Sequence, residues 1–289
     1  MNAIIRFLHA IRILKFFNLR GHVRLNGKRF RVPVLGESGY SNLDMSEPWM
    51  TELLRRLAPL CNGYFIDIGV NIGQTLLKLR AVSSTINYAG VEPNPACIHY
   101  VNRLIKANNF THARLLPVGL SNQTRMGELS YYTDLEFDSM ASTVSEFRGT
   151  QRRTRKEFIP LFDWSQLRAV LAVSEISIVK IDVEGGEWEV IDALSEELKR
   201  SQPIILMEIL PAQSADNQVR IERQNKIHDR LAQLGYQVFL VIKSNEQLEA
   251  VEPLAAIPIH DDENRCEYVM VPASRSNQFL SLIPTRSSE

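Results

Sequence analysis

Cysteine is scarce in this chain: Cys61, Cys97 and Cys266 are the only three in 289 residues, odd in number and far apart. That pattern excludes a disulfide framework and a zinc knuckle, and points to ordinary buried thiols in a reducing, cytoplasmic compartment. Neither charge sign is in excess, with 33 Lys plus Arg against 33 Asp plus Glu. Bulk attraction to nucleic acid or acidic lipid is therefore not expected. Long uncharged runs are missing as well. The apolar stretch Met1 to Arg20 is interrupted by Arg6, Arg12, Lys15 and Arg20, so the expectation is neither a signal peptide nor a membrane span. Without a secretory signal, the sequons at Asn109 and Asn122 are read as chance. Histidines and cysteines do not cluster, no metal is assigned, and His99 and His112 read as core or surface residues. The dinucleotide fingerprint Gly-x-Gly-x-x-Gly is absent too.

At 45% hydrophobic and 23% charged residues, the chain can bury one good core, so one principal domain is expected. The predicted organisation is an appendage over 1–58 and a main domain over 59–289 with an insert near 125–162. Ile4, Ile5, Leu8, Ile11 and Leu14 fall on one helical face, extended by Phe16 and Phe17. Such a helix packs on its own domain, on a partner in a homo-oligomer, or in-plane on a membrane surface. Val23 to Val32 alternates around Asn26-Gly27, a hairpin signal for a small lid or appendage. A helix near 49–57 follows.

From Tyr64 onward strands and helices alternate. Strands are predicted at 64–68, 88–92, 113–118, 176–182, 203–208, 236–242 and 266–271, with helices at 74–82, 95–108, 163–171, 187–194 and 217–234. This is the α/β pattern of a doubly wound, Rossmann-like, mostly parallel sheet. In the insert, Glu128 to Thr133 and Phe158 to Leu161 read as strands that overhang the site. Between them the basic loop Arg148 to Lys156 reads as a solvated loop or a seat for an anionic substrate group.

The run Tyr64-Phe65-Ile66-Asp67-Ile68-Gly69-Val70-Asn71-Ile72-Gly73 joins an apolar strand, an acid at its end and a glycine turn opening a helix. Glycines let the backbone approach a ligand closely, and the helix offers free N–H groups. Asp67 in front of them disfavours a pyrophosphate and favours a cationic, hydroxyl-rich ligand. S-adenosyl-L-methionine, with an ammonium, a sulfonium and a ribose, is such a ligand. Glu92 closes the next strand about twenty residues beyond the glycines, a spacing that suits a ribose-binding carboxylate. Asp67, Gly69, Asn71, Gly73 and Glu92 are the candidate cofactor contacts. The competing structural roles are a helix cap for Asp67, a solvated strand end for Glu92, and turn or packing positions for the glycines.

A second cluster, Val179-Lys180-Ile181-Asp182-Val183-Glu184-Gly185-Gly186-Glu187, repeats this logic, and Glu208 ends the strand after it. Carboxyl ends of parallel strands face one crevice, which gathers Asp182, Glu184 and Glu208 as catalytic candidates and makes Lys180 a buried partner for one of the acids. Glu187 and Glu189 read as first-turn acids favouring the helix dipole. Both clusters resemble the FkbM family of S-adenosylmethionine-dependent methyltransferases, the second through its Lys-x-Asp-x-Glu-Gly-x-Glu signature, over roughly residues 60–240. Val70 and Gly186 depart from the commoner alanine. The resemblance implies a class I methyltransferase fold, seven strands with the last antiparallel, and O-methylation of a hydroxyl on a sugar, glycan or natural product.

In-line methyl transfer needs alignment and a proton acceptor. Asp182 is the leading base, with Glu184 and Glu208 as alternatives; a metal held by Asp182 and Glu208 is a further route. Two other functional classes stay open: a nicotinamide-dependent oxidoreductase and a non-enzymatic partner-binding protein.

Overall fold

A computed structural model describes residues 1–286 apart from 135, 145, 146 and 148–150. The first residues of the basic loop at Arg148 to Lys156 therefore lie outside the described residues. The chain opens with helix α1 (Asn2–Ala10) and a hairpin of β1 (Asn18–Leu25) and β2 (Lys28–Leu35), then α2 (Pro48–Leu57). The alternating core follows as β3 (Tyr64–Ile68), α3 (Gln74–Val82), β4 (Tyr88–Val91), α4 (Pro95–Asn108) and β5 (Ala113–Leu116). The insert supplies β6 (Gly119–Leu120), β7 (Arg125–Tyr131) and β8 (Arg155–Phe162). Then come α5 (Trp164–Leu171), β9 (Ile176–Ile181), α6 (Glu187–Ser201), β10 (Ile204–Glu208), α7 (Gln218–Gln233), β11 (Tyr236–Ser244), β12 (Gln247–Leu254), β13 (Glu267–Pro272) and α8 (Ser276–Leu280).

The main sheet has the order β12-β11-β13-β10-β9-β3-β4-β5. Its central strands are parallel, and β13 runs antiparallel to both β10 and β11. Every residue of β9 is buried, as expected for a parallel strand covered on both faces. One apolar cluster fills each face, and the two are separated by the sheet itself. The sheet carries eight strands where seven are expected, because β12 folds back on β11. That turn places Asn245 at φ 48° and Glu246 at φ 61°, a left-handed pair without the glycine that normally announces it.

Asn26 (φ 48°) and Gly27 (φ 75°) make the expected tight turn, but the hairpin is longer than its sequence signal and is built into the core. Phe30, Val32 and Val34 join the cluster that holds Phe65 and Tyr88. Side chains of this size contribute roughly 1.5–3 kcal/mol each when fully buried. Asn108 at the end of α4 clasps β2, its Oδ1 accepting from the Arg31 N–H at 2.7 Å and its Nδ2 donating to the Arg31 carbonyl at 2.8 Å.

Helix α1 stops at Ala10, earlier than its apolar pattern suggests, and Arg12 sits at φ 60° before strand β1 begins at Asn18. The single face expected for the segment splits. Ile5 and Leu14 are buried, whereas Ile4, Phe7 and Ile11 are exposed.

In the insert, β6, β8 and β7 form a small sheet around Leu129, Tyr131, Ile159 and Leu161. The loop beyond β7 is tied by Asp138, which accepts from the Tyr132 and Thr133 N–H groups at 2.6 and 2.9 Å and from Met140 at 3.0 Å.

Candidate functional site

Two cavities meet at the carboxyl ends of β3, β4, β9 and β10. The smaller, of about 260 Å³, is lined by Glu92, Asn94, Cys97, Val183 and Glu184, with Leu129, Asp138 and Thr143 of the insert above. The larger, of about 510 Å³, is lined by His9, Ser38, Tyr40, Glu47, Lys78, Lys180 and Glu267. Gly69, Asn71, Gln74, Ser139, Asp182 and Glu208 border both. A ligand in one cavity can therefore face a ligand in the other across Asp182 and Glu208.

The glycine turn brings the backbone to this border. Gly69 has φ +87°, and a Cβ there would lie 1.7 Å from the Asp182 carbonyl oxygen. Gly69→Ala is expected to destabilise the protein by roughly 2–5 kcal/mol, combining left-handed strain with overpacking; a thermal melt within error of wild type would contradict this. Asn71, at φ 45°, donates its N–H to Glu92 Oε2 at 2.8 Å, and the Asn94 N–H reaches Glu92 Oε1 at 2.8 Å. Each oxygen thus keeps a lone pair for a ligand hydroxyl. Burial pushes the Glu92 carboxyl up to about 7, although both backbone N–H groups oppose the shift.

Two of the five expected cofactor contacts do not line either cavity. Asp67 is fully buried; the Tyr88 hydroxyl donates to its Oδ2 at 2.6 Å, and Lys180 Nζ stands 3.7 Å from its Oδ1. The side chain anchors the cavity floor from beneath instead of meeting a ligand directly. Burial raises its pKa, and Lys180 and Tyr88 counteract this. Gly73 caps α3 at φ +75°, and a Cβ there would press on Leu104 and Val101 of α4 at 3.2–3.3 Å. It is a turn and packing position.

The three catalytic candidates do converge. Lys180 donates to Asp182 Oδ2 at 2.8 Å and to the Gly69 carbonyl at 3.3 Å, so it bridges Asp67 to the cavity border. Burial opposes its charge, but Asp182 and Asp67 outweigh that and hold the ammonium above its ordinary range. Asp182 therefore presents a cation-paired carboxylate to both cavities. Glu208 is different: burial, then Asp182, Glu267 and Glu184 around it, push its carboxyl up to about 10, which keeps it protonated at neutral pH. Glu184 lines the smaller cavity at φ 55°. Glu187 does more than favour a helix dipole. It is buried, its Oε1 accepts from the Gly185 N–H at 2.8 Å, and burial raises it to about 7. Glu189 pairs with Arg223.

Residues from distant segments complete the larger cavity. Glu267 of β13 sits opposite Glu208, raised by burial to about 7. Glu47, at φ 61° before Pro48, forms an ion pair with the buried Lys78. Nothing around these residues in the sequence marks them, since the sheet order brings Glu267 to the site and the start of α2, paired with Lys78 of α3, brings Glu47.

Four raised glutamates fix a pH response, and the raised Asp67 adds to it in the same sense. The folded state binds protons more tightly than the unfolded one, so each glutamate's contribution to stability is present below the ordinary value of 4.5 and is lost as pH rises through the folded value. For Glu92, Glu187 and Glu267 that loss ends at about 7, and for Glu208 it continues to about 10. Thermal melts of the ligand-free protein from about pH 5 to about pH 8 should fall, with a shallower fall in Glu208→Gln. Equal slopes in the two proteins would contradict the assignment.

Residues 67–238, more than half of the chain, match the family described as methyltransferase FkbM domain. The chain belongs to that family. No curated protein matches it. Among solved structures it is similar to the methyltransferase FkbM from Methylobacillus flagellatus KT, with 13% identity and TM-score 0.47 over 82% of this chain and 51% of that one. This chain thus spans about half the length of that protein. It is also similar to an O-methyltransferase from Bacillus cereus in complex with SAH, with 13% identity and TM-score 0.47 over 82% and 87% of the two chains. Fibrillarin from Aeropyrum pernix with natively bound S-adenosyl-L-methionine matches at 12% identity and TM-score 0.40 over 87% and 81%. The FkbM match divides the site. Every residue bordering the smaller cavity lies within 67–238, whereas the larger cavity draws His9, Ser38, Tyr40, Glu47 and Glu267 from outside it.

Proposed function

We propose that this FkbM-family chain is an S-adenosylmethionine-dependent O-methyltransferase whose smaller cavity takes the cofactor and whose larger cavity takes a hydroxyl-bearing acceptor, a sugar, a glycan or a natural product. The observation that carries the reading is the meeting of two cavities at Asp182, which is paired with Lys180. The residues of the smaller cavity suit the cofactor. Glu92 has acceptor capacity for a ribose diol, and the glycine at 69 lets the β3 turn pack against the Asp182 backbone at the cavity wall.

S-adenosylmethionine supplies an electrophilic methyl group on a sulfonium. The protein's part is alignment and proton handling. Asp182 is the residue that would accept the acceptor hydroxyl's proton as that oxygen takes the methyl group. Lys180, held between Asp182 and Asp67, orients the Asp182 side chain at the shared border. Glu208, carrying its own proton, donates a hydrogen bond at the shared border and orients an acceptor oxygen. Alignment of this kind accounts for roughly 7–11 kcal/mol of a barrier.

Calorimetry with the demethylated product SAH and with NAD tests the reading. Micromolar binding of SAH without binding of NAD is expected. Heat from NAD alone would instead support an oxidoreductase.

A further inference from the structure

The first 36 residues contain eight lysines and arginines and no aspartate or glutamate, in a chain whose charges otherwise cancel; the first acid is Glu37. On the same segment Ile4, Phe7 and Ile11 recur at helical intervals along α1 and its C-terminal cap, and are 54%, 62% and 47% exposed. Phe16 at 74% and Phe17 at 42% continue the patch. The core uses Ile5 and Leu14 from this segment, with Leu8 packed against them, and the five outward side chains stay outside that cluster. Single exposed apolar residues are ordinary, but five within one short basic segment form a surface that wants a partner.

We infer that residues 1–20 dock the protein in-plane on an anionic bilayer. Charge complementarity favours a bilayer over a protein. Exposed Arg12, Lys15 and Arg20 are interleaved with the apolar side chains, and single-sign charge mixed with bulky apolar residues matches a leaflet of anionic head groups over acyl chains. Lys15 Nζ lies 5.3 Å from the centre of the Phe16 ring, so a base and an apolar side chain share one spot, as when a lysine snorkels beside a buried ring. Among the described residues no helix is long and apolar enough to cross a membrane, which leaves surface attachment as the mode for this segment. The docking helix also borders the site, through the face opposite Ile4, Phe7 and Ile11. His9, in the last turn of α1, stacks on Tyr40 with ring centroids 3.8 Å apart, and both line the larger cavity. Resting on the methyl-transfer reading, this makes the acceptor a hydroxyl on the polar head of a membrane-borne amphiphile.

Cosedimentation of the full chain with vesicles of phosphatidylcholine, alone or mixed with phosphatidylglycerol, tests the docking. Binding should be roughly tenfold or more stronger to the anionic vesicles and should weaken with salt. The double variant Phe7→Glu, Phe16→Glu should lose most of that binding while its SAH calorimetry stays as in wild type. Equal binding to both vesicles, or unchanged binding by the variant, overturns the inference. So does a variant that changes only the mass in solution, which would make the face an interface between copies. For the acceptor, radiolabelled S-adenosylmethionine incubated with protein and a membrane preparation should deliver label to the chloroform-extractable fraction; label confined to the water-soluble fraction overturns that assignment. Failure of SAH binding in wild type would instead strike the methyl-transfer reading and leave the vesicle result standing.

Discussion

Glu92→Ala should weaken binding of SAH by about two orders of magnitude or more. Two hydrogen bonds from a diol to a carboxylate contribute roughly 1.5–3 kcal/mol each, and every 1.4 kcal/mol is about a factor of ten in affinity. The same substitution leaves the Asn71 and Asn94 N–H groups without their acceptor, at a cost of roughly 1–3 kcal/mol in stability. A melt recorded beside the calorimetry separates the two effects. Glu92→Gln is not a benign control: its NH2 would face one of two backbone N–H donors, so it too should bind SAH poorly. Because burial raises the carboxyl to about 7 and only the ionised form offers all its lone pairs, affinity for SAH should climb as pH rises through neutrality. An affinity flat in pH and unchanged in Glu92→Ala would show that the ribose lies elsewhere.

Asp182→Asn should reduce turnover by about 10²- to 10⁴-fold, the usual contribution of a positioned general base, while SAH affinity changes little. The amide keeps the size of the side chain and the backbone N–H bond to Ile68 at 3.0 Å, so the turn around Gly69 should persist. It cannot accept the proton of an attacking hydroxyl. Lys180 retains Asp67 as a counter-charge, which limits the disturbance to the cavity border. Methyl transfer followed by mass spectrometry in extracts containing the acceptor measures the loss. Turnover within a factor of a few of wild type would move the base to Glu184 or Glu208. Glu208→Gln, which preserves a hydrogen-bond donor, should be the milder of the two substitutions.

The elements legible in the sequence are those where a local signal and the sheet agree. Strand, acid and glycine turn follow one another at Asp67 to Gly73 and again at Lys180 to Gly186, so the crevice could be located from residues alone. The depth of a side chain is another matter. Asp67 and Glu92 both stand near the ends of adjacent strands, yet one lies under the floor against Tyr88 and the other borders a cavity. Strand alternation over four or five residues does not decide which. Distant contributions were silent for a different reason: Glu267 reaches the larger cavity through the order β13-β10-β9-β3, and Glu47 through the packing of α2 and its ion pair with Lys78 of α3, both tertiary facts. The extra strand β12 was hidden by a turn of Asn245 and Glu246 that uses no glycine. In α1 the apolar periodicity was real, but it served two surfaces, with Ile5 turned inward and Phe7 outward.

A structure of the protein crystallised with SAH tests the account most directly. The ribose hydroxyls should lie within hydrogen-bonding distance of the Glu92 carboxylate, with the thioether sulfur directed past Asp182 toward the larger cavity. A nucleoside seated in the cavity beside His9 and Tyr40, or a ribose remote from Glu92, would contradict it.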